Sequence, residues 1–225
     1  MMKKMFRKFL AATLLCSAFL SAPAFALSEP EEIVNKAKVT AESMFSDPNY
    51  PVLLDLVNKS KAVLIVPNFF KAGFFIGGQG GAAALLSRDD SGAWGSPAFY
   101  QMGGPSFGLQ FGAQSSEIII VIMTNKGLNA VMNRRVTLGT DAGAALGQVG
   151  TGVKASTGVD LKADMYAFAR SAGLFFGVSL DGTVVWPRRD FNNSFYGTDT
   201  TPEAILLQHT VQDPRAQPLI DVMPR

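Results

Sequence analysis

The sequence predicts a single α+β domain in which N-terminal helices pack on a strongly curved, mostly antiparallel sheet or partly closed barrel. All 22 glycines lie between Gly73 and Gly197, beside aromatic and β-branched residues. Glycine inside a strand usually marks a bulge, a tight bend or a close backbone approach, so this window favours short, curved strands. The segment before the window instead carries apolar residues at helical spacing. Neither a linker nor an exact internal repeat divides the chain, so we expect one domain.

The first 26 residues have the composition of a cleaved signal peptide. Four basic residues precede an apolar run over residues 9–20, and Ala24-Phe25-Ala26 matches the pattern that signal peptidase cuts. We therefore expect cleavage after Ala26 and export to the periplasm or cell envelope of a Gram-negative bacterium. A membrane anchor and lipidation at Cys16 are the alternatives. The apolar run is shorter than the ~20 residues of a spanning helix, and Leu15 is a poor neighbour for a lipidated cysteine.

Charge and cysteine content argue against nucleic-acid binding and against sites that depend on cysteine. The full chain has 20 basic and 18 acidic residues, and removal of the leader leaves 16 and 18, a net charge of −2. A mildly acidic protein is a poor general binder of nucleic acid, so we expect no nucleic-acid partner. Cys16 is the only cysteine in the sequence. The remaining 199 residues therefore contain no disulfide and no thiol site, and a hydrophobic core has to stabilise the domain.

Two helices are predicted at the start of the expected mature chain. Ser28 followed by Glu31 forms a capping box, and Pro30 is tolerated in the first turn. Apolar residues then fall on one face at helical spacing as far as Phe45. The segment 47–51, with two prolines, breaks this helix, and a short second helix follows over 52–59.

Strands are predicted through most of the remaining sequence. The compact apolar run 62–66 stops at Pro67, and alternation or apolar runs then indicate five more strands, over 71–78, 81–88, 94–102, 106–113 and 118–123. Later strands are expected over 164–170, 173–180 and 183–186, the last two joined by an Asp181-Gly182 turn. Short helices are expected near 128–132 and from Thr201. We treat 27–212 as the domain and 213–225, with its three prolines, as a C-terminal tail.

Several glycine-containing segments follow one another in a recognisable order. They are 94–99, 103–112, 138–147 and 166–182, the last containing Ser-Ala-Gly-Leu-Phe-Phe-Gly-Val-Ser-Leu-Asp-Gly. In this order and at these spacings they resemble the SYLF domain. The resemblance covers about residues 30–210, and the last segment is the most specific part of it. The chain departs from the family pattern at Leu146-Gly147-Gln148, where Gly-Pro is more usual.

The resemblance implies non-enzymatic binding to membrane lipid, with anionic phospholipid or a membrane surface as the expected partner. Some fungal members of the family bind and bundle actin. We expect actin to be an unlikely partner here, because the leader is of bacterial type and no SH3 module is attached. The alternative function is an envelope structural or protein-interaction module that does not bind lipid.

Basic residues beside aromatic ones are the candidate lipid contacts, since charge suits a phosphate and a ring suits the acyl boundary. These candidates are Lys71, Arg134, Arg135, Trp186, Arg188 and Arg189. Lys154 joins them because it follows a glycine-rich stretch whose backbone N–H groups can converge on an anion. The alternative for each group is an ordinary solvated strand end or a structural loop.

No enzymatic chemistry is predicted. His209 is the only histidine, and Asp89-Asp90-Ser91-Gly92 is typical of a turn rather than of paired catalytic acids. His and carboxylates do not occur at zinc-binding spacing. We therefore expect no catalytic residue, no metal site and no cofactor.

Overall fold

A computed structural model describes residues 28–133, 135–141, 146–148, 163–171 and 180–225, with the side chains of 74–76, 106–113, 133 and 146–148 excepted. Within these ranges, helices pack on a curled, mostly antiparallel sheet, which confirms the predicted α+β class. The expected signal peptide, Arg134, Lys154 and most of the strand expected over 173–180 lie outside the described residues. No helix in the described ranges is long and apolar enough to span a bilayer.

The described elements are short except for two strands. The helices are α1 Glu29–Phe45, α2 Leu53–Lys59, α3 Asn125–Asn133, α4 Arg189–Tyr196, α5 Pro202–Leu206 and α6 Gln217–Ile220. The strands are β1 Ala62–Ser87, β2 Ala98–Ile122, β3 Val136–Thr137, β4 Leu146–Gln148, β5 Met165–Ser171 and β6 Val184–Pro187. Strand β2 is central and pairs antiparallel with β1, β5 and β6. At the edges, β3 is antiparallel to β6 and β4 is parallel to β5.

Strand β1 doubles back on itself. Its 26 residues would extend about 85 Å if straight. Yet the N–H of Arg88 donates to the carbonyl of Lys61 at 3.0 Å, so the two ends of the strand meet. Midway along, Gly81 lies so close to the Asn68 carbonyl that a methyl group at Gly81 would overlap it. The two halves of β1 therefore lie side by side, and the sheet curls into a half-barrel.

The separate strands predicted between 62 and 123 are joined into β1 and β2. Pro67 does not end a strand, because it lies at a register shift between Val66 and Phe69. A bulge leaves a residue unpaired, so the missing N–H of proline disrupts no ladder bond there. A second register shift, between Gly73 and Phe75, lies where β1 turns back. The glycine-rich pattern thus marks bends within strands rather than their ends.

Both faces of the sheet are covered. The first face packs against α1, α2, α4 and the C-terminal segment, and its buried strand residues include Val63, Ile65, Leu86, Phe99 and Ile119. The second face packs against α3 and α5, and its buried strand residues include Leu64, Leu85, Tyr100, Ile120 and Val185. Neighbouring strand residues fall in different clusters, as the two-residue period of a strand requires.

Helix α1 begins as predicted. The N–H of Ser28 donates to the Glu31 carboxylate at 2.9 Å, which forms one half of the capping box. The same carboxylate accepts a hydrogen bond from Arg215 at 2.8 Å. This second contact joins the first helix to the C-terminal segment and holds α1 against the sheet.

The C-terminal segment, expected to be a tail, packs into the core. Leu219 is fully buried and Met223 is 4% exposed. Pro214 begins a 3₁₀ turn and Pro218 lies in the first turn of α6, so both prolines occupy positions that a helix tolerates. The carbonyl of Pro224 accepts hydrogen bonds from the Trp94 indole at 2.7 Å and from Arg88, which fixes the last residues.

Candidate functional site

Trp186 lies on the first face of the sheet, at the β6 side. Its neighbour Val185 is buried in the second-face cluster, so the indole projects to the opposite side. Directly across the ladder is Gln101 of β2. A methyl group at Gly103 would lie 3.3 Å from the Cη2 atom of Trp186, which shows that the indole rests against the backbone of β2. Trp186 is half-buried, so part of the ring remains exposed.

Arg135 covers this ring. It immediately precedes β3, which pairs with β6, and its guanidinium carbon lies 5.0 Å from the Trp186 ring centroid. A cation–π contact at an exposed site stabilises by about 0.5–1 kcal/mol. Arg135 is exposed, and no carboxylate in the described part of the chain pairs with it. Its positive charge is therefore available to a ligand.

Arg188 is also near Trp186, but its charge is balanced within the protein. Its Nε and Nη2 atoms donate to the Asp190 carboxylate at 2.8 and 2.6 Å, and its guanidinium lies over the Phe191 ring at 3.6 Å. Hydrogen bonding from Arg188 lowers the pKa of Asp190, and the same pair raises the pKa of Arg188. A longer contact of 3.4 Å reaches Gln101. Arg188 thus fixes the connection between β6 and α4.

Arg189 follows Arg188 directly and is the first residue of helix α4. The side chain of Asn192 is fully buried and accepts a hydrogen bond from the N–H of Phe99 at 2.7 Å, which fastens the helix to β2. Arg189, in the first turn, is exposed and pairs with no carboxylate among the described residues. We call the set Gln101, Gly103, Arg135, Trp186, Arg188 and Arg189 the Trp186 surface.

Lys71 lies elsewhere. Lys71 lies two residues after Phe69 on the same strand, so the two side chains point to the same face. Because Phe69 is buried in the second-face cluster, Lys71 and Trp186 lie on opposite faces of the sheet. Its neighbour Phe70 is 49% exposed. The structure therefore brings together Arg135, Trp186 and Arg188 of the predicted contacts. Arg189 is exposed next to Arg188 in the chain, and Lys71 is separated from them.

Residues 103–225, more than half of the chain, match the model of the Ysc84 family, described as "Las17-binding protein actin regulator". The chain belongs to the Ysc84 family. This match confirms the resemblance to the SYLF domain, and it covers the Trp186 surface from Gly103 to Arg189.

Relatives of this Ysc84-family chain come from fungi and animals. It is 31% identical over 163 residues to the SH3 domain-containing protein PJ696.02 of Schizosaccharomyces pombe, covering 71% of this chain and 38% of the relative. It is 27% identical over 172 residues to LAS seventeen-binding protein 3 of Saccharomyces cerevisiae, covering 75% and 37%. With the human SH3 domain-containing YSC84-like protein 1 the identity is 27% over 169 residues, covering 75% and 49%. The chain thus spans less than half the length of these curated relatives.

The family description names a regulator that binds another protein. The same description names an actin regulator, which weighs against the expectation that actin is an unlikely partner. Asp89 belongs to a turn, as predicted, because its carboxylate accepts hydrogen bonds from Ser91 and from the N–H of Ala93. Hydrogen bonding from Ser91 lowers the pKa of this carboxyl group. No group of three metal-ligating side chains occurs among the residues that the structure describes.

Sequence reasoning missed the residues that hold the arginines of the Trp186 surface. The spacing of Arg188 and Asp190 indicates an ion pair only once a helix is known to begin between them. Gln101 has no sequence signal, because its role depends on the pairing of β2 with β6.

Proposed function

We propose that this Ysc84-family domain is an exported, non-enzymatic module that binds anionic phospholipid at a membrane surface through the Trp186 surface. The observation that carries the proposal is the exposed, unpaired guanidinium of Arg135 over the half-buried ring of Trp186. An indole suits the boundary between headgroup and acyl chain, and the adjacent cation suits a phosphate.

The expected electrostatic contribution is modest. A basic residue near an anionic leaflet contributes about 1 kcal/mol. Arg135 and Arg189 are the two unpaired cations of the surface, so together they contribute about 2 kcal/mol, or roughly 30-fold in affinity. Arg188 contributes less because Asp190 already compensates its charge. Lys71 lies on the other face, while Arg134 and Lys154 remain candidates from the sequence alone.

The location follows from the sequence of the leader. Its basic start, apolar run and Ala24-Phe25-Ala26 end support export to the periplasm or envelope of a Gram-negative bacterium. At that location the protein would meet anionic phospholipid headgroups on a membrane surface, with which it would associate peripherally.

The test is co-sedimentation of the purified protein with neutral vesicles and with vesicles containing an anionic phospholipid, at low and high salt. We expect binding to anionic vesicles alone, weakened at high salt because the screening length falls from about 10 Å at 0.1 M to about 3 Å at 1 M. The double variant Arg135→Ala/Arg189→Ala should bind roughly 30-fold more weakly. The matched control, Lys59→Ala/Arg225→Ala, removes two exposed charges elsewhere and should bind like the parent.

Equal losses in both double variants would show that net charge, and not the Trp186 surface, determines binding. Absence of binding to either vesicle would overturn the lipid proposal and favour an envelope protein partner.

The family match favours a second candidate function, which is binding to an actin-regulating protein or to actin itself. The family model covers residues 103–225, whereas the chain spans less than half of each relative's length. Co-sedimentation with filamentous actin, with and without vesicles, distinguishes the two. Actin binding that survives Arg135→Ala/Arg189→Ala would place this second function on another surface.

A further inference from the structure

Asp190 occupies the edge of Arg188 that is best suited to bind a phosphate. Its carboxylate accepts hydrogen bonds from Nε and Nη2 of Arg188 at 2.8 and 2.6 Å. A guanidinium presents such a pair of nitrogens as a fork, and the same fork binds a carboxylate or a phosphate through two parallel hydrogen bonds. The remaining nitrogen, Nη1, lies 3.4 Å from the side-chain oxygen of Gln101. The fork of Arg188 is therefore already filled in the free protein.

Other contacts hold Arg188 at the Trp186 surface independently of this carboxylate. The guanidinium lies 3.6 Å from the centre of the Phe191 ring, and its Nη1 atom faces Gln101. Gln101 in turn lies directly across the ladder from Trp186. Because none of these contacts uses the carboxylate, the guanidinium keeps its place beside the indole when the carboxylate moves away.

The ion pair is exposed enough for its anion to be exchanged. The side chain of Asp190 is 62% exposed and that of Arg188 is 28% exposed. Exposed ion pairs contribute little stability, because water and salt screen them. A phosphate group offers the same bidentate geometry as the carboxylate. A dense layer of phosphates can therefore displace the carboxylate from the fork.

Asp190 also reduces the positive charge of the Trp186 surface. Arg135, Arg188 and Arg189 supply three cations, and the carboxylate of Asp190 compensates one of them. Hydrogen bonding from Asp190 raises the pKa of Arg188, and the charge of Glu29 adds to this effect. Hydrogen bonding from Arg188 lowers the pKa of Asp190, so the carboxylate is ionised at neutral pH. At an anionic leaflet, Asp190 thus opposes binding both by filling the fork and by repulsion.

We propose that Asp190 competes with lipid phosphate for Arg188 and thereby restricts the Trp186 surface to membranes rich in anionic phospholipid. This inference rests on the proposed function. Sparse anionic headgroups leave the Arg188–Asp190 pair intact, whereas crowded headgroups displace the carboxylate and bind the freed fork.

The test is binding of the purified protein to phosphatidylcholine vesicles that contain an increasing fraction of phosphatidylglycerol. Asp190→Asn removes one negative charge and frees the fork, so it should bind at least about fivefold more tightly and at a lower anionic fraction than the parent. The matched control is Asp55→Asn, which removes an exposed carboxylate from the first turn of α2 and should bind like the parent.

A second comparison tests the fork itself. Lysine keeps the positive charge of Arg188 but cannot form two parallel hydrogen bonds. Arg188→Lys should therefore change binding little in the parent, where Asp190 fills the fork. In the Asp190→Asn background it should weaken binding about fivefold, which corresponds to one lost hydrogen bond. Circular dichroism checks that each variant folds.

The outcomes separate this inference from the lipid proposal. If the parent binds anionic vesicles and Asp190→Asn binds no more tightly, or gains no more than Asp55→Asn, the competition is refuted and the lipid function stands. An equal effect of Arg188→Lys in both backgrounds would also refute it, because repulsion alone would then explain the gain. If neither the parent nor Asp190→Asn binds, both proposals are wrong.

Discussion

The curled shape of β1 predicts that Gly81 is far more sensitive to substitution than Gly78 on the same strand. A methyl group at Gly81 would overlap the main-chain oxygen of Asn68, and its next contact is the Val66 side chain. A methyl group at Gly78 would have no atom within 4 Å. Since a backbone carbonyl cannot move aside as a flexible side chain can, Gly81→Ala must push the two halves of β1 apart.

The magnitude follows from these contacts. Overpacking typically destabilises by about 1–3 kcal/mol, whereas Gly→Ala in open space stabilises by about 0.4–1 kcal/mol because the unfolded chain loses freedom. The two variants should therefore differ by roughly 1.4–4 kcal/mol in the free energy of unfolding. For a chain of this size, 1 kcal/mol corresponds to about 2–4 °C, so the midpoints of thermal unfolding should differ by roughly 3–16 °C.

Thermal unfolding followed by circular dichroism measures this difference, and urea denaturation gives the free energies. The parent should lie between the two variants, nearer to Gly78→Ala. Equal midpoints for Gly81→Ala and Gly78→Ala would refute the reasoning, because they would show that the halves of β1 do not touch.

Three further outcomes are expected. Asn192→Ala should reduce the free energy of unfolding by about 1–3 kcal/mol, because it leaves the buried N–H of Phe99 unpaired, and a neutral result in urea would contradict the role of that bond. Hydrogen bonding from Arg215 lowers the pKa of Asp213, so the stability from this pair is present above the unfolded pKa of about 4 and is lost as the pH falls through the folded value. The urea midpoint should thus fall on acidification, and Arg215→Ala should flatten that fall. Trp186→Leu should weaken binding to anionic vesicles without changing its salt dependence, and an altered salt dependence would show that the ring acts only by holding arginine.

Local signals in the sequence were sufficient for elements whose contacts lie close along the chain. The Ser28–Glu31 capping box placed α1, and the alternation of apolar residues showed that strands dominate the glycine-rich window. The joining of predicted strands into β1 could not be foreseen, because it depends on contacts such as that between Lys61 and Arg88. A proline that ends a strand and a proline at a bulge look the same in sequence.

The sequence predicted the types of residue that form the Trp186 surface, but it did not predict which of the candidate residues come together there. Basic and aromatic residues near strand ends suggested the contacts, and the pairing of β3 with β6 decided that Arg135 meets Trp186, 51 positions later in the chain. Lys71 shares their composition, yet the two-residue period of β1 places it on the other face. The ion pair by which Asp190 compensates the charge of Arg188 could be predicted only once α4 was known to begin beside Arg188.

The contact between Glu31 and Arg215 has a consequence for how the chain acquires its structure. These residues are 184 positions apart, so this contact of the first helix cannot form until almost the last residue is available. Strand β2 likewise cannot complete its pairing until β6, more than 60 residues later in the chain, is available. A domain dominated by such distant pairings folds slowly, because the entropy of closing long loops must be lost before the contacts form. The last dozen residues include Ala216, Leu219 and Met223, which cover apolar side chains of the first face. We therefore expect truncation within this segment to cause aggregation rather than a shortened native fold.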